Sequence, residues 1–134
     1  MPISAEDMTT WMNTKAAMKA KVSAEVNEAN DKIMGDLFTK EGGMDQMKAW
    51  FAEDFNGAAN SDGKMFLDEY RVYSAASTAR YAALGIQDMA VDEEGLQTTY
   101  AILNRYNAEH DGLTHADFEG FMKDMMAARG MAQK

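Results

Sequence analysis

Oxygen-bearing side chains recur at alternate positions in Asn60-Ser61-Asp62-Gly63-Lys64, and Glu69 follows six residues after the glycine. Alternate positions of a tight loop converge on one point. Asn60, Asp62 and the backbone carbonyl of Lys64 could therefore share one hard cation. Gly63 supplies the sharp turn, and Glu69 can close the cavity with two oxygens. A rougher copy lies at Asn107-Ala108-Glu109-His110-Asp111-Gly112, with Asp117 further on. There Asn107, Glu109 and Asp111 alternate before the glycine, and Asp117 stands in the place of the closing acid. Glu119 is the alternative closer, and it would require a bulge. Such oxygen-only sets suit calcium. His110 and His115, with Asp111 and Asp117, offer a transition-metal alternative, although adjacent loop histidines are more often solvated.

Two loops of this kind need a helix on either side of each. Ser4-Ala5-Glu6-Asp7 has the form of a helix start, with Ser4 as N-cap and an acid near the positive end. Met8, Trp11, Met12, Val22, Val26, Ile33 and Leu37 then recur at helical spacing, interrupted by Lys15 and Lys19. The pattern predicts one long helix or two consecutive ones over about 5–39, stopped near Gly42-Gly43. A further helix is expected from Met44 to about Phe55, carrying Met47, Trp50 and Phe51 on its apolar side. Another runs from about Leu67 to Leu84 and ends at Gly85. Asp92-Glu93-Glu94 opens the next, through Leu96, Tyr100, Leu103 and Tyr106. The last runs from His115 to about Arg129, with Phe118, Phe121, Met122 and Met125 apolar. The chain thus divides into an N-terminal helical segment, 1–43, and a repeated helix–loop–helix body, 44–134. Gly63 and Gly112 are equivalent in the repeat.

On these loops and their flanking aromatics, the chain resembles the calmodulin-like EF-hand superfamily over about residues 44–128. The resemblance implies an all-α fold, an EF-hand pair with a long N-terminal helix or helix pair packed against it. Its loops would meet in a short two-stranded contact at Met65 and Leu113. The resemblance also implies a ligand frame. Counted back from Gly63 as the sixth position, the first loop begins at Ala58, which offers no side-chain oxygen. Counted from the aromatic Phe55, it begins at Asn56 and covers 56–69, two residues longer than standard, as in calgranulin-type calcium proteins. The ligand pool is then Asn56, Asn60, Ser61, Asp62, Lys64 and Glu69. In the second loop, 107–117, Tyr106 marks Asn107 as the first position, and one residue is missing after Gly112. Calcium is expected at the first loop more than at the second, and weakly, because carboxylates are few.

Composition narrows the rest. A net charge of −9 argues against nucleic acid, whose phosphates need basic clusters. Thirteen methionines suit a surface that can repack around an amphipathic helix of a target protein. With no cysteine there is neither a disulfide framework nor a thiolate site. No apolar run approaches the ~20 residues of a membrane span, and a cytoplasmic location is expected. No nucleophilic cysteine, phosphate-cradling loop or HExxH motif is present, so no enzyme is expected. The expected function is a regulatory calcium sensor that changes helix packing and contacts a protein partner. A calcium buffer of the sarcoplasmic type, or a light-chain-like structural subunit with ion-free loops, are the alternatives. The N-terminal helix is expected to fill the pair's groove or, through a weak heptad, to form a homodimer.

Overall fold

Two serines set the start of the chain's first two helices. The Ser4 hydroxyl accepts the Asp7 amide at 3.0 Å to open α1 (Ala5–Ala20), and Ser23 accepts the Val26 amide at 3.2 Å to open α2 (Ala24–Thr39). The N-terminal segment is therefore two helices, broken at residues 21–23, in this computed structural model, which describes residues 4–88, 91–106 and 112–133. Helix α3 (Gly43–Ala58) follows, then strand β1 (Lys64–Met65) and helix α4 (Leu67–Ala82). Helix α5 (Glu93–Tyr106), strand β2 (Leu113–Thr114) and helix α6 (His115–Gln133) complete the order. Asp92 caps α5 by accepting the Gly95 amide at 2.7 Å. The class is all-α with one two-stranded antiparallel sheet among the described residues, pairing Lys64 with Thr114 and Met65 with Leu113.

Helix α3 runs beyond the expected end near Phe55. Phe55 and Ala58 lie three apart on one face and are both buried, and the Ala59 amide closes the last turn on the Phe55 carbonyl at 2.8 Å. The connecting loop consequently starts at Ala59 rather than at 56, and Asn56 is an exposed helical residue.

The core lies between α3, α4, α5 and α6, with the strand pair closing one end. Met65 and Leu113 are buried there together with Phe55, Tyr70, Ile102, Leu103, Phe118, Phe121 and Met125. Each such apolar side chain contributes about 1.5–3 kcal/mol by leaving water. Polar contacts fix how the helices sit. The Tyr70 hydroxyl meets Thr99 Oγ1 at 3.0 Å, joining α4 to α5. Because Thr99 donates to the Leu96 carbonyl at 3.1 Å, the proton between the two hydroxyls comes from Tyr70. Arg80 holds Asp54 through two bonds of 2.8 and 3.0 Å, joining α4 to α3.

The two N-terminal helices pack on different parts of this body. Helix α1 packs along α5 and sets Trp11 against Phe121 of α6, with ring centroids 4.9 Å apart. Helix α2 packs on α3. The Asn30 amide of α2 clasps the backbone of Gln87, donating to its carbonyl at 2.8 Å and accepting its N–H at 2.9 Å. Among the described residues no helix is long and apolar enough to cross a membrane.

Candidate metal centre in the paired loops

The first loop is folded around Asn60. Its side-chain oxygen accepts the backbone amides of Asp62 at 3.0 Å and Lys64 at 3.1 Å. Its own N–H donates to the Lys64 carbonyl at 2.8 Å, and its carbonyl accepts the Gly63 amide at 2.9 Å. This four-bond turn brings Asn60, Asp62 and Lys64 into one small ring, with Gly63 at φ 75° where an L side chain would be strained. Asp62 is exposed.

Glu69 stands in the first turn of α4, just after the loop. Its Oε1 accepts the Phe66 backbone N–H at 2.9 Å, which is the returning half of a capping box. Phe66 is the N-cap residue and has no side-chain acceptor, so the other half does not form. Asn60, Lys64 and Glu69 thus each offer a candidate oxygen that already accepts a backbone N–H. Asn56, in the last turns of α3, precedes the loop instead of belonging to it.

The second loop is reached from its outgoing side. Thr114 Oγ1 accepts the Asp117 amide at 3.1 Å, and Asp117 Oδ2 accepts the Thr114 amide at 3.2 Å, a complete capping box. Asn107, Glu109 and Asp111, and with them His110, lie outside the described residues. Gly112 has φ 100° and stands directly against the first loop. A Cβ there would lie 3.0 Å from the Phe66 ring and 3.2 Å from Lys64 Cβ. Thr114 escaped the sequence reading, although Thr114-His115-Ala116-Asp117 has the spacing of a capping box and could have revealed it.

The strand register relates the two loops. Met65 opposes Leu113, Glu69 follows Met65 by four residues, and Asp117 follows Leu113 by four. Both acids therefore occupy the same helical position, and both turn back onto the N-cap amide of their own helix. Gly63 precedes Met65 by two residues but Gly112 precedes Leu113 by one, so the second loop lacks one residue at that point.

The second unit also reaches into the first. The Tyr100 hydroxyl of α5 donates to the Met65 carbonyl at 3.1 Å. Burial, and then the negative charge of Glu69, raise the Tyr100 phenol above its ordinary value, so it stays a donor. His115 faces the aromatic core, stacked on Phe51 at 4.9 Å and edge-on to Phe55 at 5.4 Å. Its Nδ1 lies 3.7 Å from Glu119, which places that alternative closing acid beside the histidine.

Among the described residues no three acidic or histidine side chains converge on one point. The candidate donors of the first loop are the Asp62 and Glu69 carboxylates, the Asn60 amide oxygen and the Lys64 carbonyl, of which hydrogen bonds tie Asn60 to the backbone of Asp62 and Lys64. That donor set suits a weakly held hard cation and is short of charge for a tight one. No protein-family model, no curated protein and no solved structure matches this chain.

Proposed function

We propose that the chain is a non-enzymatic EF-hand-type calcium-binding protein whose paired loops regulate contact with a partner helix. The observation that carries this is the register of the strand pair. It sets Glu69 and Asp117 at matching positions beyond Met65 and Leu113, as two ion loops sharing one contact require. Asn60, Asp62, the Lys64 carbonyl and Glu69 would hold the ion, which would supply positive charge at the start of α4. Asp117 is the weaker counterpart, being one methylene shorter.

Ion binding must draw Glu69 away from the Phe66 amide or share it, and so it acts on the first turn of α4. Helix α4 is tied to α5 through Tyr70 and Thr99, which is a route from loop to helix packing. A cytoplasmic sensor is the role that fits these parts. Amide NMR during a calcium titration tests it. Saturable shifts at Gly63 are expected, with smaller ones at Gly112. Glu69→Gln should abolish most of the Gly63 response, and an unchanged titration would remove Glu69 from the ligand set.

A second reading is a light-chain-like structural subunit that binds no ion. It is favoured by the internal hydrogen bonds that already engage Asn60, Lys64 and Glu69. Silence of both glycines at millimolar calcium would select it.

A further inference from the structure

Helix α1 is attached to the body in an unusual way. Of its sixteen residues one is buried, Trp11, whereas α5 buries five of fourteen. Trp11 leans on Phe121, and Lys15 lies over its ring at 5.1 Å from the centroid. Met8 packs beside it, only partly buried. Ion pairs add a grip at the two ends. Asp7 meets Arg105 of α5 at 2.6 Å, and Lys21, just past the end of α1, meets Asp92 at 2.7 Å. Between them Thr14 packs at Gly95, where even an added Cβ would meet Thr14 Cγ2 at an ordinary 3.5 Å.

These contacts run in opposite order along the two chains, so α1 lies antiparallel on α5. Asp7, Trp11, Thr14 and Lys21 fall on one helical stripe. The stripe reads acid, tryptophan, small residue, base. The body answers with Arg105, the Phe121 face, Gly95 and Asp92. One large anchor between two screened ion pairs is how one helix docks on another protein, and it is a sparse way to build a core.

We propose that α1 is a displaceable occupant of the α5–α6 face, which accepts in its place a partner helix bearing the same pattern. The partner would carry an acidic residue one turn before a tryptophan, a small residue at the crossing and a basic residue two to three turns further on. The inference rests on the partner-binding half of the reading above and not on its ion-binding half. Met12, 38% exposed on α1, marks the outward side of the resident helix.

The test uses a labelled peptide of residues 4–21 and the full-length chain, followed by fluorescence anisotropy in chelator and then in calcium. The unaltered chain should bind weakly, because its own α1 is always at hand. Asp7→Lys sets like charges at Arg105 and should tighten peptide binding about five-fold. Trp11→Ala removes the anchor and should tighten it more than ten-fold. Circular dichroism checks that each variant keeps its helices. Folded variants that bind no peptide, or bind it no better than the unaltered chain, overturn the proposal. If Trp11→Ala fails to fold, Asp7→Lys alone decides by the same criterion. A charge-swapped peptide carrying Asp7→Lys should prefer a chain carrying Arg105→Asp, and indifference to the swap would overturn the assigned orientation. Peptide binding in chelator alongside a silent Gly63 would fault the ion assignment alone.

Discussion

In the first loop the outgoing helix starts at Phe66, which has no side-chain acceptor, whereas in the second it starts at Thr114, whose hydroxyl takes the Asp117 amide. The glycines differ in parallel. Gly63 has positive φ with open space around it, and Gly112 has positive φ with the Phe66 ring and Lys64 packed against it. The first loop is thus a turn held by its own hydrogen bonds, with a helix start that lacks half its cap. The second is wedged and fully capped where described. The missing half of the α4 cap calls for an acceptor oxygen, which a cation cannot supply. The contrast therefore separates the loops by rigidity: the first is open and half-capped, the second wedged and capped.

Alanine at each glycine should separate the two most strongly. Either substitution strains the left-handed backbone by roughly 1–2 kcal/mol. At Gly112 the new methyl must also displace Phe66 or Lys64, adding about 1 kcal/mol or more. Urea unfolding should therefore rank Gly112→Ala well below Gly63→Ala, and equal midpoints would erase the distinction. A smaller effect is expected at the caps. Thr114→Ala should cost about 1 kcal/mol and speed exchange of the Asp117 amide several-fold. Phe66→Asn supplies the missing oxygen and should slow exchange of the Glu69 amide.

The least effect at neutral pH, and the most selective, comes from alkali. Tyr106 precedes the second loop and donates to Asp124 at 2.5 Å. That bond, and then burial, push its phenol up from 10.0 to about 12. The folded value is raised, so the contribution to stability is complete below pH 10 and is lost as pH climbs toward 12. Phe55, its counterpart before the first loop, has no proton to lose. Rising pH should perturb the α6 amides of Phe121 and Met125 before those of α3, and simultaneous loss would break the contrast.

Much of this was legible in the residues. Gly42, Gly85 and Asp92 marked helix ends, and Met65 and Leu113 do meet in the strand pair. The division of the N-terminal segment left a sign in Ser23-Ala24-Glu25, which repeats Ser4-Ala5-Glu6, though regular apolar spacing on either side obscured it. The end of α3 was misjudged because asparagine and glycine at 56 and 57 resemble a stop signal, while burial of Ala58 depends on helices distant in sequence. Hydrogen bonds across the fold, such as Tyr100 to Met65, leave no local trace. The sequence also named the candidate oxygens without indicating that the backbone already occupies several of them.

The clasp between Asn30 and Gln87 sets an uneven constraint on sequence drift. Asn30 grips only the peptide group of residue 87, by the donor-plus-acceptor pairing that a neighbouring strand would use. Position 87 can therefore vary through almost any side chain, with proline barred because it lacks the N–H. Position 30 has no such freedom. Aspartate there loses the donor, leucine loses both bonds, and glutamine is one methylene too long for the same seat. Residue 87 can thus diversify in its side chain while an amide on another helix holds its peptide group.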